Sequence, residues 1–249
     1  MHNLVIDIGN TNSKLGVFKQ KELIHYQRFD KVDLFILKGL IEKYQIVNAI
    51  LSSVIKDSHD LIDFLKQTVH YIPFSTNIST GISNHYQSLD TLGLDRWAKL
   101  VAANGLYKGC NCLLIDAGSC ITYDLLNENS EYYGGSISLG VNMRFKALNH
   151  YTGKLPLVLW NKDETQIPAG TDTINAIKNG VLQGVCHEVE GFISASNLQN
   201  KVLKIILTGG DADFLTKQLK NTIFANQIIH EPYLVLKGLN EVITAQNVH

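Results

Sequence analysis

The chain is predicted to be an α/β protein made of two similar domains, and three observations predict it. A short pattern occurs twice, 109 residues apart: Leu4-Val5-Ile6-Asp7-Ile8-Gly9-Asn10-Thr11-Asn12-Ser13-Lys14-Leu15-Gly16-Val17, and again Leu113-Leu114-Ile115-Asp116-Ala117-Gly118-Ser119-Cys120-Ile121-Thr122-Tyr123-Asp124-Leu125-Leu126. Each copy is an apolar run, an Asp-x-Gly with small polar residues, and a second apolar run, which reads as a buried strand, a tight turn and a second strand. Strand-like and helix-like segments then alternate twice over, the mark of two α/β domains. Finally, 249 residues suffice for one large core or for two domains of about 110 to 130 residues. The expected division is 1–112 and 113–249.

The elements follow in order. Residues 3–9, 14–19 and 22–28 are expected as antiparallel strands, with Gln20-Lys21 as a hairpin turn. Leu34, Leu37, Leu40 and Ile41 have helical spacing within 33–43. Ala49 to Val54 reads as a buried strand, and Asp57 as the cap of a helix running to about Val69. A loop region leads to a helix from Thr91 to about Leu106, with Leu92, Trp97, Leu100 and Val101 roughly on one face. The second half repeats the scheme: strands at 112–116, 121–127 and 131–137, helices near 140–148 and 172–197, and a strand at 203–207. Pro232-Tyr233 precedes a closing segment whose end, Asn240 to Gln246, is expected to be helical.

Composition narrows the class. A 45% hydrophobic and 18% charged chain with net charge −1 is that of a soluble globular protein. It offers no electrostatic footprint for nucleic acid. No apolar stretch approaches the roughly 20 residues of a membrane span. The N-terminus enters a strand at once, so no signal peptide is expected and the expected location is cytoplasmic. Cys110 and Cys112 lack the spacing of a zinc knuckle, and Cys110, Cys112, Cys120 and Cys186 read as plain thiols. The dispersed histidines, without HExxH spacing, read as non-metal; no G-x-S-x-G elbow and no P-loop is present.

The repeated turns carry chemistry. Glycine lets backbone approach a ligand, neighbouring Ser, Thr and Asn offer donors, and a carboxylate at a strand end suits a hydrated magnesium ion. Two such turns facing one another would hold a nucleotide's phosphates and its metal. A third strand-to-glycine turn, Lys204 to Ala212 with Gly209-Gly210, is where adenosine is expected against bare backbone.

Asp7-x-Gly9-Asn10-Thr11-x-x-Lys14, Asp116-x-Gly118 and Gly209-Gly210 resemble the phosphate-1, phosphate-2 and adenosine motifs of the actin/hexokinase/Hsp70 superfamily. Within it, Leu92-Gly93-Leu94-Asp95-Arg96-Trp97, Gly134-Gly135-x-Ile137 and Leu155-Pro156 resemble the type III pantothenate kinases, from about residue 3 to 245. The resemblance implies two ribonuclease H-like (actin-like ATPase) domains with the active site in the cleft between them. It implies ATP-dependent phosphorylation of pantothenate to 4'-phosphopantothenate, the first step of coenzyme A synthesis. Implied cofactors are ATP, Mg2+ and a monovalent cation, K+ or NH4+, near Asp116.

On this reading Asp7 orients the magnesium ion, and Gly9, Asn10, Thr11 and Lys14 belong to the first phosphate turn. A lysine starting an exposed strand is otherwise simply solvated. Gly118, Ser119 and Thr122 form the second phosphate turn, and Gly209 and Gly210 the adenosine turn. Asp95 is the expected general base, since transfer to an alcohol needs its proton accepted. Arg96 beside it is a fixed cation for acceptor or phosphoryl group. An Asp-Arg pair in a first helical turn also serves as a plain cap. Tyr86, Gly93 and Leu94 match the family's pantothenate pocket, and Thr173 a substrate contact from the second domain, although Asp172 or Thr171 equally suits a helix N-cap.

Ser119 stands where the family usually has Thr, and Cys120 where it has Ala. Ser138-Leu139-Gly140 lacks the usual Pro, and Tyr151 takes a usual His position. A homodimer is expected from the apolar segment 139–160. Two other functions stay open: another small-alcohol kinase such as a sugar kinase, and a nucleotide-binding regulator. Intact Asp7, Asp95 and Asp116 favour catalysis.

Overall fold

The computed structural model describes residues 1–9, 11–53, 58–199 and 203–246, in two compact units. The first unit comprises Met1–Lys108, Ser130–Tyr132 and the segment from Tyr233 onward; the second comprises Gly109–Asn129 and Tyr133–Pro232.

In the first unit, β1 (His2–Ile8), β2 (Ser13–Lys19) and β3 (Glu22–Phe29) form an antiparallel meander, turned at Gln20 in a left-handed conformation. Helix α1 (Leu34–Tyr44), capped by Asp33 at the amide of Ile36, returns the chain to β4 (Ile46–Ser53), parallel to β1. Helix α2 (His59–Thr68) leads to β5 (His70–Pro73), parallel to β4, so the sheet order is β3-β2-β1-β4-β5. Asp57, the expected cap of α2, lies outside the described residues. Side chains alternate along a strand. Leu4, Ile6 and Ile8 meet Leu37, Leu40 and Leu65 of α1 and α2. Asn3, Val5 and Asp7 therefore look to the other face, where α3 (Leu94–Leu106) and α7 (Leu234–Gln246) pack on the strands. A 3-10 turn at Leu89–Thr91 and an extended Leu92 precede α3, so it starts three residues later than the helical spacing predicts.

The second unit repeats the order. Strands β7 (Asn111–Ala117) and β8 (Cys120–Leu126) are antiparallel, β9 (Glu131–Leu139) follows β8, and β10 (Leu203–Thr208) and β11 (Ile228–His230) run parallel beside β7. The order β9-β8-β7-β10-β11 is that of the first sheet. The short strand β6 (Ser83–Asn84) pairs with Glu131 and Tyr132. Helices α5 (Thr173–Gln199) and α6 (Ala212–Leu219) take the places of α1 and α2, while α4 (Val141–His150) has no counterpart between β3 and α1.

The units differ from the expected 1–112 and 113–249 in one important way: the C-terminal helix belongs to the first. Its buried Leu234, Leu236, Leu239, Val242 and Ile243 supply an apolar face. Asn240 then joins it to the N-terminal sheet, donating to the carbonyl of Gln20 at 2.8 Å and accepting from Asn3 at 2.9 Å. The helix also starts at Leu234, earlier than the expected Asn240. The 139–160 segment divides its apolar residues. Val141, Phe145, Val158 and Trp160 enter the second unit's core, whereas Leu139, Met143, Leu157 and Leu159 are exposed.

Candidate functional site

The first glycine turn joins β1 to β2. Gly9 N–H donates to the carbonyl of Asn12 at 3.1 Å. Asp7 is 7% exposed and stands opposite Lys14 on β2 and Ser52 on β4. Cross-strand partners share a face, so carboxylate, ammonium and hydroxyl lie on the face that α3 and α7 cover. Ser52 is fully buried, and its Oγ has no hydrogen-bond partner among the described residues. Nothing in its local sequence distinguishes it from the polar end of any strand. Thr11 is exposed, and Asn10 lies outside the described residues.

The second group is the start of α3. Gly93 caps the helix, Leu94 is its first residue, and Asp95 in the first turn has a side chain 34% exposed. A carboxylate is favoured at a helix N-terminus. A Cβ on Gly93 would lie 2.6 Å from Asp95 Oδ1, so glycine leaves the room this oxygen occupies. The other oxygen meets Lys99 Nζ at 3.4 Å, one turn on, and the Lys99 side chain is 1% exposed. A buried ammonium needs such a partner, because desolvation costs on the order of several kcal/mol per ion unless compensated.

Arg96 is buried and donates through Nη2 to Tyr132 Oη at 2.8 Å. Its guanidinium lies 5.6 Å from the centre of the Tyr86 ring, which stacks on Tyr132 with centroids 6.0 Å apart. Tyr86, Arg96 and Tyr132 thus form one cation–aromatic cluster from three segments of the first unit. Tyr132 and Lys99 escaped sequence reading because each occupies an apolar-phase position of a strand or helix, where periodicity predicts core.

The third group is the β7–β8 turn. Asp116 pairs in register with buried Thr122, and Gly118 N–H donates to the carbonyl of Cys120 at 3.1 Å. Two other stretches of backbone press on this turn. Gly209, with φ +99°, brings the β10–α6 turn so close that a Cβ would lie 2.5 Å from the carbonyl carbon of Ala117; Asp211 N–H donates to the Ala117 oxygen at 2.9 Å. Gly140, between β9 and α4, sits where a Cβ would lie 2.5 Å from the carbonyl oxygen of Gly118. Ser119 and Gly210 remain exposed. Burial pushes the Asp211 carboxyl up to about 6, partly offset by Lys162. Thr173 opens α5 and is exposed; the cap belongs to Asp172, which accepts the Asn175 amide at 2.9 Å.

Residues 3–195 match the family model of type III pantothenate kinases. A protein of that name from Phocaeicola vulgatus is 39% identical over 244 residues, covering 97% of this chain and 98% of that one. The chain belongs to the type III pantothenate kinase family. Among solved structures, a Campylobacter jejuni protein described as a Baf family transcriptional activator superposes with TM-score 0.64 at 22% identity, covering 99% of this chain and 100% of that one. A Listeria monocytogenes protein described as an N-acetylmannosamine kinase gives TM-score 0.57 at 14% identity, with 99% and 100% covered. At these identities the likeness shows the fold alone, the actin-like α/β fold of repeated units. Membership in a pantothenate kinase family makes the chain a phosphotransferase of the ATP-using class. No helix among the described residues is long and apolar enough to cross a membrane.

Proposed function

We propose that this chain transfers the γ-phosphoryl group of ATP to the primary alcohol of pantothenate, giving 4'-phosphopantothenate and ADP as the first step of coenzyme A synthesis. The observation that carries this reading is the start of α3: a part-exposed carboxylate, Asp95, next to a guanidinium, Arg96, that Tyr86 and Tyr132 hold in place. The alcohol oxygen forms the new bond to phosphorus as the bond to the ADP oxygen breaks, and Asp95 accepts the hydroxyl proton. Arg96 balances charge on the acceptor or on the transferring group. Tyr86, Gly93, Leu94 and Thr173 are the further proposed pantothenate contacts.

Nucleotide phosphates are assigned to Gly9, Asn10, Thr11 and Lys14 and to Gly118, Ser119 and Thr122, and adenosine to Gly209 and Gly210. Among the described residues no three His, Cys, Asp or Glu side chains gather as a metal cage. Magnesium fits without one, because it keeps several waters and takes phosphate oxygens, leaving one carboxylate such as Asp7 to orient it. When bound, it neutralises charge on the β- and γ-phosphates. The monovalent cation, K+ or NH4+, is assigned to Asp116, whose carboxylate at the strand end supplies an oxygen ligand. The exposed Tyr133, Ile137, Leu139, Leu157 and Leu159 support a homodimer. The proposed place of work is the cytoplasm, where the cell's ATP is available.

The test is ADP release by the purified chain with ATP and pantothenate, with sugars and glycerol as control acceptors. Turnover is expected with pantothenate only, lost without Mg2+ and raised in K+ over Na+ at equal ionic strength. Light scattering is expected to give twice the chain mass. Turnover of a sugar, or of no acceptor, sinks the reading.

A further inference from the structure

Glu188 on α5 takes hydrogen bonds from three other elements of the second unit. Tyr123 Oη on β8 donates to Oε1 at 2.9 Å, Ser138 Oγ on β9 to Oε2 at 3.2 Å, and Arg144 Nη2 on α4 to Oε2 at 2.5 Å. Burial by itself would raise this carboxyl, but the bonds from Arg144, Tyr123 and Ser138 outweigh it and hold the group below the usual carboxylate range. The guanidinium reaches further. Nη2 donates to Ser138 Oγ at 3.1 Å, and Nε donates to the carbonyl of Leu139 at 2.9 Å. Leu139 ends β9, and the next residue is Gly140, whose backbone lies against the carbonyls of Gly118 and Ser119. A continuous line of contacts therefore runs from Glu188 through Arg144 and Leu139–Gly140 to the β7–β8 turn.

A lone surface ion pair contributes little. This pair is half-buried, with side chains 20% and 23% exposed, and shares its carboxylate with two hydroxyls. Such a charge-assisted network fixes geometry as well as adding stability.

We propose that Arg144 and Glu188 are positioning residues for the nucleotide, holding the Leu139–Gly140 backbone against the Gly118–Ser119 turn so that the turn keeps its phosphate-binding shape. The proposal rests on the reading of that turn as a phosphate site. Arginine is required because different nitrogens serve Leu139 and Glu188 at once, which a lysine's single ammonium on a flexible stem does not reproduce.

The experiment is calorimetric titration of the purified chain and its variants with ADP in the presence of Mg2+, alongside KM for ATP and for pantothenate. Arg144→Lys and Glu188→Gln are each expected to weaken ADP binding about tenfold, the equivalent of one charge-assisted hydrogen bond. KM for ATP should rise in step and KM for pantothenate stay within about twofold. The double variant should lose little more than either single one, since both act through one contact. Tyr123→Phe removes a donor to the same carboxylate without touching Leu139. It should leave ADP affinity within about twofold, whatever it does to the melting temperature. Variants that melt earlier but bind ADP as the native chain does would overturn the proposal, as would additive losses in the double variant. A native chain that binds ADP but does not phosphorylate pantothenate sinks the proposed function and leaves this inference standing. One that binds no ADP sinks the phosphate reading and the inference with it.

Discussion

The β1–β2 turn and the β7–β8 turn share a plan and differ in support. Each follows a strand ending in Asp-x-Gly, and in each the glycine N–H donates back across the turn at 3.1 Å, to Asn12 in the first and Cys120 in the second. The second is one residue shorter between paired strand ends, Ala117 with Ile121 against Ile8 with Ser13. It is also pressed by the backbone of Gly140 and Gly209, while among the described residues a Cβ on Gly9 would meet only its own turn, Asn12 O at 3.1 Å. Duplication of a local motif thus leaves the tertiary surroundings free to diverge: one copy is built into its unit, and the other carries its charges on the adjoining sheet face through Asp7 and Lys14.

The proposed function gives both turns to the nucleotide and proton transfer to neither, and Asp95→Asn tests that division with the largest effect. Turnover should fall about 100-fold or more, with ADP affinity within about twofold because neither turn is touched. Circular dichroism must accompany the assay, since the substitution weakens the pairing of buried Lys99. Near-native turnover would make Asp95 an ordinary helix cap.

The difference in support is tested by alanine at the glycines. Gly140→Ala and Gly209→Ala each drive a Cβ into backbone, and overpacking of this kind costs about 1–3 kcal/mol. At φ +99° Gly209 adds strain of its own. Gly9→Ala asks a shift of a few tenths of an ångström from one carbonyl and should cost less than about 1 kcal/mol. Thermal melts without nucleotide compare them, and equal losses at all three positions would erase the distinction between the turns.

The smallest effect is a pH dependence from Asp211, whose amide supports the second turn. Its folded pKa, about 6, is raised by burial above the unfolded value of about 4. The folded state therefore prefers the protonated form. Asp211's stabilising contribution is full below about pH 4 and is lost as pH rises through the folded value. Asp211→Asn should melt higher than the native chain above pH 6, with the gap shrinking toward pH 4. A gap independent of pH would mean that the carboxylate's burial carries no linkage.

Much of the fold was legible because its signals are local. Apolar runs bounded by Asp-x-Gly mark β1, β2, β7 and β8, helical spacing marks α1 and α3, and the repeat itself predicts two like sheets. Short or weakly patterned elements were not legible: β5, β11 and α6 each span 8 residues or fewer. Among candidate site residues, Asp7, Asp95, Arg96, Asp116 and the glycine turns stand out by motif. Lys99, Tyr132 and Ser52 do not, since a buried charge or hydroxyl is defined by what surrounds it.

The sequence by itself determined the longer strands, the glycine turns and the repeat of two like units, because backbone hydrogen bonding and side-chain periodicity depend on neighbours along the chain. Only the tertiary structure decided that α7 closes the first unit, with Asn240 bonded to Gln20 at a separation of 220 residues. Only it decided that Arg144 meets Glu188 across 44 residues, or that Tyr132 fixes Arg96 across 36. The physical reason is the same in each case: desolvation makes a buried polar group depend on a partner, and distance in space, which no local pattern records, selects that partner.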